Sequence, residues 1–307
     1  MTVSVQISGG AGYALYTYYD YVRAWVIYVE RTYGCSNKAI SNFVNKMQSL
    51  SSFGHLQGGA SCSNEIVASY SRGQLTLSAM RKLPIENHPE IIPSANLWLP
   101  VQSYYAIHGV GLASLIALGQ QPPKDHRAFR ASFSQIAGKY FPVPFCARCS
   151  GGPQLEDFSF SGICTSPAKV AAQSNLANPI YSEGDHYIGK SLQSTRKRIL
   201  DELFDEERHS KVRANKKRRN LSKAGKQTIC QRVHGTSICD FIYRMRVRSN
   251  YDDPDMYLFA SKNVEDAISH YKNLLYLTEI IVAGLSALIE RKIGRQEMAR
   301  LKARLEQ

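Results

Sequence analysis

The sequence predicts a mainly α-helical fold, and three observations carry that prediction. Apolar residues recur at helical spacing through most of the chain rather than alternating. The periodic stretches are separated by clusters of Gly, Pro and Ser. With 307 residues, 44% of them hydrophobic, the chain can bury a sizeable core and is too apolar for wholesale disorder.

The first helix is expected over about 13–31, where Leu15, Tyr18, Val22, Trp25, Ile27 and Val29 supply a broad buried face. Its many tyrosines suit packing, since each can bury a ring and keep a wet hydroxyl. Gly9, Gly10 and Gly12 ahead of it lack the lysine and spacing of a P-loop and read as a turn. Ser36 or Asn37 can cap a second helix carrying Ile40, Phe43, Val44 and Met47. Residues 50–63 read as a loop, and 64–82 are ambiguous between helix and strand. The stretch Leu83 to Pro100 holds four prolines and reads as a linker.

A strong helix is expected over about Val101 to Leu118, ending at Gly119. After Pro122 and Pro123 another runs over about His126 to Lys139, with Phe129, Phe133 and Ile136 on one face. Residues 141–185 are rich in Pro, Gly, Ser and Cys and read as an insertion with little regular structure. A basic segment follows, where Leu192, Ile199, Leu200, Leu203 and Phe204 suggest a helix. Near Thr236 the chain re-enters a helix with Ile238, Phe241, Ile242 and Met245 on one side. The last long helix starts near Asn263 and ends at Gly294, and Met298, Leu301 and Leu305 form a short amphipathic tail that can dock on the bundle.

Charge speaks about partners rather than fold. The net charge is +13, and Lys190 to Arg232 holds 14 Lys and Arg against 5 Asp and Glu. That concentration points to a polyanion, most simply RNA, or to a solvated loop. The residues predicted to meet phosphates are Arg196, Lys197, Arg198, Lys211 and Arg213, then Lys216, Lys217, Arg218 and Arg219, with Arg244 beside them. The expected arrangement folds this stretch against the arginine-bearing helix near Arg246, so that both line one positive groove.

Seven cysteines at irregular spacings fit reduced thiols, and hence a cytoplasmic protein, better than a disulfide framework. Cys146 and Cys149 have the spacing of a zinc knuckle, with Cys164 as a third ligand and Cys230, His234 or Cys239 as a fourth. A single CxxC pair is a weak zinc signal beside ordinary reduced cysteines. The N-terminus lacks the plan of a signal peptide. The apolar stretch Leu274 to Ile289 is short for a bilayer and carries Glu279, so no transmembrane segment is expected.

Two separated segments resemble a HEPN domain, the helical-bundle family of prokaryotic toxins, defence effectors and nucleotidyltransferase partners. The run Gln102-Ser103-Tyr104-Tyr105-Ala106-Ile107-His108, continuing to Ala117-Leu118-Gly119, is similar to the family's opening helix. Asp125-His126-Arg127-Ala128-Phe129 resembles its next helix. In Tyr243 to Asp253, Arg246, Asn250 and Tyr251 take the places of the family's arginine and of the aspartate and tyrosine four and five residues later. The resemblance covers about 100–140 and 236–293. It implies a HEPN-like bundle over 96–140 and 236–307, an N-terminal helical region over 1–95 and an insertion over 141–235.

The resemblance also implies an activity. Ribonuclease members use an arginine and a histidine four to six residues apart, the histidine handling the 2′-hydroxyl proton and the arginine the phosphate charge, without a metal. Here no histidine follows Arg244, Arg246 or Arg248 within reach. Arg81 and His88 have a comparable spacing, but Pro84 lies between them and the match reads as chance. What remains is a cluster in which Arg246, Arg248, Asn250 and Tyr251 are the candidate reacting groups, with His108 and His234 as alternative proton carriers. The structural alternative pairs Arg246 with Asp252 or Asp253 and buries Tyr251. Implied partners are RNA and either a second copy or a companion effector; no cofactor is required, and a structural zinc is the one candidate. Two functions fit: an RNA-cleaving effector of a toxin–antitoxin or antiviral defence system, or a non-catalytic nucleic-acid- or nucleotide-binding subunit.

Overall fold

The computed structural model describes residues 9–35, 37–163, 165, 184–213, 221–259 and 263–305. Among them are twelve α-helices and one two-stranded hairpin. The first four helices are α1 (Gly9–Tyr33), α2 (Asn37–Gln48), α3 (Ser51–Gly54) and α4 (Asn64–Arg81). Next come α5 (Ile92–Ala117), α6 (His126–Tyr140) and the antiparallel hairpin β1 (Arg148–Ser150) and β2 (Ser159–Ser161). The second half holds α7 (Gly184–Arg213), α8 (Lys223–Arg232) and α9 (Ile238–Val247), which runs on into a π-turn, Arg248–Asp252. The chain closes with α10 (Pro254–Phe259), α11 (Val264–Ile293) and α12 (Arg295–Ala303).

The periodic faces are where their spacing puts them. Leu15, Val22, Trp25 and Val29 of α1, Phe129 and Phe133 of α6, and Phe241, Ile242 and Met245 of α9 are all buried. They belong to one continuous core that also takes in Phe145 and Phe158 of the insertion and Met298 and Leu301 of the tail. The N-terminal region, the bundle and the insertion therefore share one main hydrophobic interior, and the insertion adds a small second cluster around Leu200, Cys230 and Val233. Trp25 Nε1 donates to Ser191 Oγ at 3.2 Å, tying α1 to α7 through that interior.

Three sequence expectations change. Residues 64–82 form a helix, capped where Ser63 Oγ accepts from the Ile66 amide at 3.3 Å. The expected linker over 83–100 shrinks, because α5 starts at Ile92. Pro93 sits in its first turn, where an amide donor is not needed, and Pro100 lies inside it. Burial of Ile92, Ala95 and Leu99 outweighs the bond lost at Pro100. Gly9, Gly10 and Gly12 belong to the first turns of α1 rather than to a preceding turn.

Helix α5 is apolar on every side and forms the axis of the bundle, packed by α4, α11, α9 and α10. Its approach to α4 is unusually close. A Cβ on Gly109 would lie 2.7 Å from the Gly73 amide nitrogen, and one on Gly73 would lie 2.7 Å from the Ala106 carbonyl oxygen. These helices touch backbone to backbone, which only glycine permits.

Helix α11 is long and apolar enough to cross a membrane by length and composition. Most of its apolar window is buried in the bundle, the condition of a core helix. It carries His270, whose ring stacks on Tyr19 at 4.1 Å and whose two nitrogens have no hydrogen-bond partner. Burial pushes this histidine down to about 3. The unfolded chain therefore takes up a proton near pH 6.5 that the folded chain refuses until pH 3, and stability falls as pH drops through that window. His108, pushed down to about 4 by burial and by His126, acts in the same direction, whereas Asp20, raised to about 6 by burial, acts in the opposite one. Urea midpoints at pH 7 and pH 5 should therefore diverge less in His270→Phe than in the wild type, the difference approaching about 1.4 kcal/mol per pH unit. Equal divergence in both proteins would contradict a neutral, buried His270.

Candidate functional site

Helix α9 begins at a capping box in which Ser237 donates its amide N–H to Asp240 Oδ2 at 2.9 Å. Residues two apart on a helix point about 200° away from each other. Arg246 therefore faces one way, and Arg244 and Arg248 face the other.

Arg246 faces α5 and α6. It is 6% exposed, and its guanidinium carbon lies 5.4, 5.2, 5.3 and 5.9 Å from the ring centres of Tyr104, Tyr105, Tyr243 and Tyr251. It donates to Tyr105 Oη at 3.0 Å, while its Nε is buried without a partner. Among the described residues it has no ion pair, because Asp252 pairs with Arg198 at 2.9 Å and Asp253 with Arg248 at 3.6 Å. Four ring faces compensate a buried cation only in part, so the charge is left seeking an anion. Tyr251 is not buried; at 67% exposure its ring lies over the arginine and open to solvent. Asn250 is exposed as well.

A histidine from another helix lies beside this cluster. Asp125 caps α6 and sets His126 on its first turn, where Nδ1 is hydrogen-bonded to Tyr104 Oη at 3.0 Å. Burial, then the charges of Arg246 and Arg130, hold the His126 imidazole below its usual pKa. It is therefore neutral at pH 7 and able to accept a proton. His108 of α5 lies 5.4 Å from it, centre to centre. A groove of about 650 Å³ runs up to this cluster, lined by Arg72, Leu75 and Thr76 of α4 and by Gln102, Tyr105 and His108 of α5.

Helix α7, which holds the first part of the basic segment, packs beside α9 on its opposite side. Arg244 donates to Ser194 Oγ of α7 at 2.8 Å, and the Tyr18 ring lies 5.5 Å from Arg244 and 5.7 Å from Arg248. The single groove expected from the sequence is thus divided by α9: Arg246 on one side, Arg244 and Arg248 with α7 on the other. Arg196 also departs from expectation. It is fully buried and donates to the carbonyls of Gly151, Cys230, Val233 and His234, so it clamps the hairpin to the link before α9 instead of meeting phosphates. Arg198 is at the surface but already paired with Glu202 and Asp252. Lys197 lines a hollow of about 280 Å³ with Arg208, Lys223 and Lys226. Lys211 and Arg213 lie in α7 by their backbone, and Lys216, Lys217, Arg218 and Arg219 fall outside the described residues.

The cysteines sit in different surroundings. Cys149 pairs through its backbone with Thr236, and burial pushes its thiol up to about 12; burial raises Cys146, Cys230 and Cys239 too. Thiols that resist ionisation are weak ligands. Among the described residues no group of three or more His, Cys, Asp or Glu is placed to hold a metal ion; Cys164 lies outside them.

Comparison of the chain with protein-family models, curated proteins and solved structures gave no match.

Of the residues gathered here, the sequence singled out Arg246, Tyr251 and His108 as candidates, and Tyr104, Tyr105 and His126 only as parts of a resemblance. The chain brings these together from positions more than a hundred residues away from Arg246, and no local spacing signals it.

Proposed function

We propose that this protein acts on RNA as a HEPN-like effector of the prokaryotic defence or toxin type, with the cluster around Arg246 as its site. The observation that supports this most is the pairing of an uncompensated, nearly buried arginine with a neutral histidine, His126, beside exposed tyrosine rings. The tyrosines Tyr105 and Tyr251 offer faces on which bases stack. His126 takes the proton of a ribose 2′-hydroxyl, and the 2′-oxygen bonds to phosphorus. Arg246 stabilises the charge that builds on the phosphate oxygens. The bond to the 5′-oxygen breaks, that oxygen takes a proton from water, His126 gives its own proton back to solvent, and a cyclic phosphate and a 5′-hydroxyl end remain.

The test uses purified protein, end-labelled RNA and a chelator. Metal-free cleavage is expected, slowed about 100-fold or more in His126→Gln, which keeps a polar partner for Tyr104 but carries no proton. Unchanged cleavage in that variant would remove His126 from the mechanism.

One observation favours a second reading. Arg246 is only 6% exposed, so the tyrosines must part before a phosphate reaches it. A subunit that binds RNA or nucleotide for a companion effector, or for a second copy of itself, would have no need of that step. RNA bound tightly and left intact by the wild type would select this reading.

A further inference from the structure

The other side of α9 carries its own site. A pocket of about 260 Å³ lies between α6, α7 and α9, and five arginines reach it: Arg127, Arg130, Arg198, Arg244 and Arg248. Four carboxylates line it too, but three are already committed. Glu202 and Asp252 hold Arg198, and Asp240 holds Arg130 at 2.8 Å. Glu206 remains. Against it, Arg127 and Arg244 have no ion pair among the described residues, and Arg248 reaches Asp253 only at 3.6 Å. Counted over the lining, five arginines face four carboxylates, so one positive charge is left over, and it is carried on guanidinium forks, which suit the oxygens of a phosphate.

A histidine completes the pocket. His234 lines it, with Nε2 held 3.0 Å from Asp240 Oδ1. Asp240 is fully buried and also accepts from Arg130 and from the Ser237 amide. A carboxylate so fixed takes the Nε2 proton's hydrogen bond, orients the imidazole and leaves Nδ1 as an acceptor for a ligand hydroxyl. Arg196 fixes the same segment from below through the His234 carbonyl. The guanidinium forks of Arg127 and Arg244 are the donors for an anion, and His234 Nδ1 is an acceptor for a hydroxyl on the group that bears it.

We infer that this pocket binds a phosphomonoester, the 5′-phosphate of a nucleotide. The volume accommodates a phosphate and the sugar that bears it, and Arg127 at the exposed rim meets the rest. The ligand's source is a free nucleotide or the 5′-end of an RNA, and both present the same group. This site is separate from the one around Arg246: Tyr243 stands between them, with Arg130 4.2 Å and Arg246 5.3 Å from its ring centre.

The test measures binding, not cleavage. Adenosine 5′-monophosphate is titrated into the full chain by calorimetry, and 5′-phosphorylated and 5′-hydroxyl forms of one deoxy-substituted, uncleavable oligonucleotide are compared. Saturable binding of the nucleotide is expected, weakened at least about tenfold in Arg244→Ala and in Arg127→Ala, since a charge-assisted hydrogen bond carries that much. Arg127 is exposed, so its variant tests the pocket even if Arg244→Ala folds poorly. Arg246→Ala should bind the nucleotide as the wild type does, which separates this inference from the proposed RNA cleavage. A preference for the phosphorylated oligonucleotide would assign the source as an RNA end; nucleotide binding without that preference would assign a free nucleotide. No binding of adenosine 5′-monophosphate at millimolar concentration, or binding indifferent to both arginine changes, overturns the inference.

Discussion

Arg246→Ala is expected to slow single-turnover RNA cleavage at least about 100-fold, the usual cost of losing one preorganised donor to a charged transition state. The reason lies in what surrounds the side chain. Its guanidinium sits among four tyrosine rings, with one donor on Tyr105 and an Nε that has no partner. Removing it takes away the cation and leaves the rings without a centre. Arg246→Lys is the more telling control. A lysine can rest against the same rings, but it offers a point charge where the arginine offers a fork. We expect the lysine variant to keep most of the fold stability and less than about a tenth of the rate. A rate within threefold of the wild type in either variant, with the fold intact, would dismiss Arg246 as a reacting group.

The second large effect concerns stability. Asp240→Ala is expected to lose about 3–5 kcal/mol in urea unfolding, the cost of breaking a buried ion pair from one side. Asp240 is the third residue of α9 and the acceptor in its capping box, the partner of Arg130 and the partner of His234 at once. Its burial opposes ionisation, but the His234 bond, the charges of His234 and Arg130 and the Ser237 amide outweigh that and hold the carboxyl below its usual range. The stabilisation is therefore complete at neutral pH and is lost only as pH falls through that depressed value. Adding Arg130→Met to Asp240→Ala should recover part of the loss, because the orphaned cation goes too. If the double variant is no more stable than the single one, the pair is not the source of the effect.

How much of this was legible in the sequence depends on distance along the chain. Helices α1, α6, α9 and α11 could be read because their apolar spacing is local and their caps, such as Asn263 and Asp125, are adjacent to them. The start of α5 could not, because Pro93 and Pro100 argue for a linker on local grounds and only burial against α4 and α11 overrules them. The arginine at 246 stood out by its neighbours. Its histidine did not, since His126 arrives from another helix and its role depends on how α6 crosses α9. Arg196 misled for the converse reason. Composition places it in a basic run, and nothing short of the fold reveals that backbone carbonyls consume its guanidinium.

The contact between Gly73 and Gly109 has a consequence for any strand that enters beside Tyr105. Both glycines belong to the groove's walls or border them: Gly109 lines it, and Gly73 is next to Arg72, which does. With main chain resting on main chain, α4 can neither slide inward nor tilt without collision. The channel's gauge is thus a fixed dimension of the scaffold, and adaptation to an occupant falls to the side chains that line it, Arg72, Gln102 and Tyr105 among them.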